Sequence, residues 1–224
     1  MNFGKEERED AFRITSVERD LKKRDRYFIY ADHSEEPILS VHEDILIEYT
    51  LLKGHSVSVS DLPGILEADQ KQNAYTLALA YLGMKPRTRK EIERYLIRKE
   101  IAPEVIEQVA NRLEAEHTID DGDYAKRFAE QRLRNHLKGR LSIKQELLQR
   151  GVSKSQAAEA ISELDEDFEL EAAVRAGGKK WPFIKGETRD RIRKLTMFLM
   201  RRGYPGGVVR EAVKQVMNDK RGDE

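Results

Sequence analysis

The sequence predicts a mainly α-helical protein: three tandem three-helix repeats forming an elongated, curved rod, preceded by a small α/β module made of a β-hairpin and a helix. Internal similarity is the first observation behind this. LIRKEIAPEVIEQVANRLE from Leu96, LLQRGVSKSQAAEAISELD from Leu147 and LMRRGYPGGVVREAVKQVM from Leu199 align at offsets of 51 and 52 residues. The second is periodicity. Ile106, Val109, Ala110 and Leu113 make an i, i+3, i+4, i+7 stripe, repeated by Ala157, Ala160, Ile161 and Leu164 and by Val209, Ala212, Val213 and Val216. The third is composition: 37% charged and 39% hydrophobic residues are lean for one large core and favour a modular build.

In chain order, residues 1–12 are polar and expected to fray. ITSVERDL and RYFIYAD are rich in β-branched and aromatic residues and flank a turn at Lys22–Asp25, which predicts a hairpin. ILSV suits a third short strand. HEDILIEYTLLKG places Ile45, Leu46, Tyr49 and Leu52 at helical spacing up to Gly54, although its β-branched residues also suit a strand. Residues 13–60 are thus the lead-in module, with Ser56–Ser60 a polar connector and Ser60 a cap for a helix running through Leu62, Ile65 and Leu66.

Repeat 1 is placed at 61–122, repeat 2 at 123–165 and repeat 3 at 166–224. Their first helices are read at Ala74–Leu82, Tyr124–Leu137 and Phe168–Lys180. A basic second helix follows in each, and ends at Lys99, Arg150 or Arg202. The next position is Glu100, Gly151 or Gly203, where a left-handed residue would close the helix, so Glu100 is the departure. Ser153 and Pro205 then suit the start of the third helix. Lys138-Gly139 is the bend between the first two helices of repeat 2, and Gly177-Gly178 suits a helix end. Trp181, with Phe183, is expected to anchor the helices of repeat 3.

Formal charge is balanced, with 41 basic and 41 acidic residues, but it is laid out in bands. Lys85–Lys99 is basic, Glu104–Asp121 acidic, and residues 126–150 basic again; an acidic band at 159–171 and a basic one at 175–202 follow. A single basic helix face ordinarily just solvates the exterior. Three at equivalent places predict a positive track for a phosphate backbone or an acidic protein surface, a choice the residues leave open. Absence of cysteine removes disulfides and thiolate metal sites and fits a reducing cytosol, and the apolar runs are too short to span a membrane. MNFGKEEREDAFR lacks the apolar core of a secretory signal.

No motif marks an enzyme. Asp120-Asp121-Gly122-Asp123 lacks the ligand ladder of a calcium loop and suits a helix cap. His33, His42, His55, His117 and His136 show no zinc spacing, and neither a GxSxG elbow nor a P-loop is present. No cofactor, metal or small-molecule substrate is expected.

DYAKRFAEQRL followed by KGRLSIKQELLQRG, with TRKEIERYLIRKEI and RLEAEHTIDDGDYA upstream, resembles the RecX family of regulators of the bacterial RecA recombinase. The resemblance is close over 73–218 and covers 13–65 more loosely; a glycine is usual where Glu100 stands. It implies an all-helical repeat array, no enzymatic activity and a role in DNA repair, homologous recombination and the SOS response. The implied partner is RecA, chiefly its filament on single-stranded DNA, whose ATPase, strand exchange and growth would be modulated. The positive track then supplies candidate contacts: Arg89, Arg94 and Arg98 in repeat 1; Arg127, Arg132, Arg134, Lys138, Arg140, Lys144 and Arg150 in repeat 2; Arg191, Arg193, Lys194, Arg201 and Arg202 in repeat 3. The expectation is a cytoplasmic monomer that docks a concave basic face into the filament groove. The rival is a protein that binds single- or double-stranded DNA directly through helix-turn-helix-like units.

Overall fold

The computed structural model describes residues 11–32 and 34–221, with side chains up to residue 218. Four strands come first: β1 Ala11–Arg19, β2 Arg26–Ala31, β3 Leu39–His42 and β4 Ser56–Ser58. They form one antiparallel sheet in the order β3-β2-β1-β4. The expected hairpin is β1–β2. Its strand starts at Ala11, inside the stretch expected to fray, while residues 1–10 and His33 lie outside the described residues. Ser56–Ser58 is a strand and no mere connector, because it pairs with the free edge of β1, Val57 opposite Phe12.

Helix α1 is short, Glu43–Glu48, and does not reach Gly54. Thr50 turns left-handed at φ +52°, and the Leu51 amide donates back to the Leu46 carbonyl. That closure drives Leu51 into full burial among Ile14, Ile29, Val41 and Ile65, which a continued helix would forgo. Ser58 accepts from the Ser60 amide in a short 3₁₀ turn, so Ser60 does not cap α2 Leu62–Leu82, whose N-terminus carries Pro63 instead. Asp69 of α2 is buried against the sheet, where it accepts from the His42 amide at 2.7 Å and pairs with Arg26 at 2.8 Å.

The remaining helices are α3 Arg89–Ile97, α4 Pro103–Ala115, α5 Asp121–His136, α6 Arg140–Arg150, α7 Lys154–Ser162, α8 Glu166–Lys180, α9 Thr188–Arg201 and α10 Gly206–Arg221. They make three successive three-helix sets, α2–α4, α5–α7 and α8–α10. Asp120 caps α5 by accepting from the Gly122 and Asp123 amides, Asp165 caps α8, and Ser153 caps α7 through the Gln156 amide.

Each second helix stops the same way. Amides of Ile101, Val152 and Tyr204 donate to the carbonyls of Leu96, Leu147 and Leu199, five residues back, and the residue before each is left-handed. Glu100 takes that conformation, φ +59°, despite its side chain. The glycine pair of α8 does not end the helix. Gly177 lies within it, where a Cβ would come 3.1 Å from Val216, so its bareness admits α10. Trp181 is buried, but Phe183, expected to anchor the helices beside it, is mostly exposed.

Two compact units divide these elements: Met1–Lys85 with Glu93–Arg112, and Pro86–Ile92 with Leu113–Glu224. The first has its core between sheet, α1 and α2. A single apolar core in the second joins Ala125, Leu133, Ile143 and Leu147 of the middle set to Ala172, Leu195, Leu199 and Val213 of the last.

Candidate interaction surface

The basic candidates fall into two environments. The first is a joint that occurs twice within the second unit. At the start of α3, Thr88 and Glu91 form a reciprocal capping box: the Glu91 amide donates to Thr88 Oγ1, and the Thr88 amide to Glu91 Oε2. The Thr88 hydroxyl also donates to the Arg150 carbonyl at 2.7 Å, Arg150 pairs with Glu91 at 2.6 Å, and Gly151 sits so close to Lys90 that a Cβ there would clash. At the start of α6 the arrangement recurs one repeat on. Gly139 and Leu141 amides donate to the carbonyls of Arg202 and Gly203, and a Cβ on Gly203 would lie 2.3 Å from the Ser142 nitrogen. In both cases the turn after one second helix docks on the N-terminus of the preceding one.

Both joints are closed by an acid from the next repeat's first helix. The Arg89 amide donates to Asp121 Oδ1 at 2.8 Å, and the Arg89 side chain pairs with Glu114. The Arg140 amide donates to Glu169 Oε1 at 2.8 Å and its Nε to Oε2 at 2.5 Å, with Glu166 beside it. Glu169 is fully buried, so Arg140 supplies the counter-charge that makes this burial tolerable. Burial pushes the Asp121 carboxyl up, against the lowering effect of the Arg89 amide, with Glu114 and Asp120 raising it further. At the second joint Arg202 donates to the carbonyls of Leu137 and His136, and the Tyr204 hydroxyl to Leu137 at 2.8 Å, which satisfies the end of α5. Burial raises the Tyr204 hydroxyl far above its usual range, so it stays a donor.

Arg132 and Lys138 meet Glu146 at 2.9 and 3.4 Å, and Arg132 and Arg150 both lie against the Phe128 ring. Arg191 covers Trp181 at 4.0 Å and donates to its carbonyl. Arg89, Arg132, Lys138, Arg140, Arg150, Arg191 and Arg202 are therefore built into the fold, each partly covered.

The second environment is open surface. Arg94, Arg98, Arg127, Arg134, Arg193, Lys194 and Arg201 are exposed, and Lys144 is half-exposed. Arg127 and Arg193 form ion pairs with helix neighbours, Asp123 and Asp190, at exposures where such pairs bind weakly. Arg134 leans on Phe168, Arg98 lies near the Tyr95 ring, and Lys194 donates to the Lys185 carbonyl. Sequence reasoning missed Thr88, Asp121 and Glu169 as partners of the arginines. The T-x-x-E spacing of Thr88-Arg89-Lys90-Glu91 was a readable signal for the first of these; nothing local marks Glu169.

Among the described residues no cluster of His, Asp or Glu is arranged to hold a metal, and no helix is long and apolar enough to cross a membrane. The fold and its surface define a class: a tandem array of three-helix domains, with joints made by turns docked on helix N-termini. Models of the first, second and third three-helix domains of RecX match residues 74–113, 120–161 and 166–213 in that order. The regulatory protein RecX of Bacillus thuringiensis (strain Al Hakam) is 31% identical over 210 residues, 92% of this chain and 78% of that protein, and a RecX of Bacillus cereus matches equally. A crystal structure of regulatory protein RecX superposes with a TM-score of 0.76 at 28% identity, over 91% of this chain and 99% of the other. RecX from Lactobacillus salivarius gives 0.62 at 25% identity, over 66% and 97%. The chain belongs to the RecX family of regulatory proteins.

Proposed function

We propose that this protein is a non-enzymatic, cytoplasmic regulator of the RecA recombinase that binds RecA, chiefly its filament on single-stranded DNA, and restrains ATP hydrolysis, strand exchange and filament growth. Membership of the RecX family carries the reading. It is supported by the retention of all three helical domains in order. The exposed cations Arg94, Arg98, Arg127, Arg134, Arg193, Lys194 and Arg201, with the half-buried Lys144, are the contacts we assign to the basic face. The covered ones, Arg89, Arg132, Lys138, Arg140, Arg150, Arg191 and Arg202, hold that face in shape. Long-range attraction and charge-assisted hydrogen bonds are the chemistry such groups offer.

The test is RecA's single-stranded-DNA-dependent ATP hydrolysis with and without this protein. Wild type at stoichiometric amounts is expected to lower the rate; no effect would sink the reading. Joint reversal of Arg134, Arg193 and Arg201 to Glu is expected to weaken the effect at unchanged helix content. Affinity for bare single-stranded DNA, measured against salt, separates the rival: a slope of about 0.7 per neutralised phosphate with no need for RecA would favour direct DNA binding.

A further inference from the structure

The second helices carry a feature that charge does not account for. Aligned by the left-handed residues that end them, α3, α6 and α9 place Ile97, Leu148 and Met200 at one position, three residues before the turn residue. Each is large, apolar and exposed: 60%, 37% and 56%. Residues seven and three before it and one after share its helix face. These are Lys90, Arg94 and Arg98 in α3, Leu141, Gln145 and Gln149 in α6, and Arg193, Met197 and Arg201 in α9, and every one is exposed. This face lies opposite the buried stripe of Ile92 and Leu96, Ile143 and Leu147, or Leu195 and Leu199. Each second helix thus satisfies its core with one face and still carries an apolar residue on the other.

A single exposed apolar side chain means nothing. The same register kept through three repeats of otherwise divergent sequence is a pattern that core packing and capping leave unused. We propose that these outward positions are protein-docking anchors, one on each second helix, and that the partner presents apolar pockets on successive identical subunits, with carboxylates beside those that take Ile97 and Met200, whose helix-face neighbours include Arg94 and Arg98 or Arg193 and Arg201. The proposal rests on the filament reading above and names the surface that would engage the protein part of the filament. An aliphatic or thioether anchor gains free energy only by leaving water, which a protein pocket provides and a phosphate backbone does not. Apolar centres with polar rims are the usual anatomy of such contacts, and the polar neighbours here are basic in α3 and α9 and amide-bearing in α6. Anchors repeated along a chain suit a partner that is itself a repeating polymer, because each contact raises the effective concentration of the next.

The experiment compares wild type with the triple variant Ile97→Ser, Leu148→Ser, Met200→Ser, and with a control, Leu21→Ser plus Phe183→Ser, which removes exposed apolar groups elsewhere. Read out are the concentration for half-maximal effect on RecA's ATP hydrolysis, co-sedimentation with RecA filaments, affinity for bare single-stranded DNA, and thermal unfolding. The triple variant is expected to need about tenfold more protein for the same effect and to co-sediment correspondingly less, the cost of three buried anchors partly offset by retained charge contacts. Its melting and DNA affinity should match wild type, and the control should behave as wild type. Met197→Gln with Met200→Gln, a milder change on α9 alone, should shift the half-maximal concentration in the same direction and covers the case of a poorly folded triple variant. A triple variant as active as wild type overturns the stripe and leaves the regulatory reading standing. So does a fall in bare-DNA affinity as large as the fall in activity, which would make the stripe a nucleic-acid contact. Wild type that neither co-sediments nor alters hydrolysis overturns the regulatory reading, and the stripe's occupant with it.

Discussion

Arg140 and Arg134 lie six residues apart in the same basic band, yet they do different work. Arg140 faces the fully buried Glu169, so Arg140→Ala strands an unpaired charge, and the expected loss of stability is about 3 kcal/mol in a denaturant titration. Arg134 leans on Phe168 at the surface, and Arg134→Ala should change stability by no more than about 0.5 kcal/mol. Asp121 gives a prediction in pH. Its folded carboxyl titrates above its unfolded value because burial disfavours the charge, so the folded state holds the proton longer. Stability contributed by this group is present below the unfolded value and is lost as pH rises through the raised folded one. Asp121→Asn keeps an oxygen for the Arg89 amide and removes the ionisation. Relative to wild type, the variant should therefore gain melting temperature as pH rises from below the unfolded carboxylate value through the raised folded one, and hold that gain above it; a difference that stays constant from acid through the carboxylate range would contradict the assignment.

At the level of the helix, the repeated turn decides how each second helix ends. Glu100 pays for a left-handed backbone that Gly151 and Gly203 adopt freely, and Glu100→Gly is expected to stabilise its repeat by up to about 1 kcal/mol, read by thermal unfolding. The reverse change is severe where the turn is also a joint. Gly203→Ala adds a methyl 2.3 Å from the Ser142 nitrogen, so the docked turn must shift, and melting should fall by several degrees with the amides of Gly139 and Leu141 exchanging faster. These contacts also explain why the basic helix ends recur. Lys99, Arg150 and Arg202 are equivalent in sequence, but Arg150 and Arg202 hold joints, so much of the repetition in the basic band is the repetition of an assembly contact.

Across the whole molecule, the proposed roles of the covered and the exposed cations make different predictions for stability and for partner binding. Substituting Arg89, Arg140 or Arg202 should lower melting and lower the effect on RecA together, whereas substituting Arg127 or Arg193, whose ion pairs are exposed and local, should change melting little. Raised salt should weaken the regulatory effect through the exposed set while helix content, followed by circular dichroism, is retained.

Helical repeats, their order, the caps at Ser153 and in the Asp120 cluster, and the bend at Lys138-Gly139 were legible in the sequence, because periodicity and turn chemistry are local and three copies reinforce one another. The short α1, the strand at Ser56–Ser58 and the burial of Gly177 were not, since each is set by a partner distant in the chain: Leu51 by the sheet core, Ser56–Ser58 by the edge of β1, Gly177 by α10. Charge shows the same division. That basic residues recur at equivalent places can be read along the chain; which of them are bound to Glu91, Glu146 or Glu169 and which face water follows from how the helices pack. An ion pair depends on side chains meeting in space, and a one-dimensional pattern places them only along the chain.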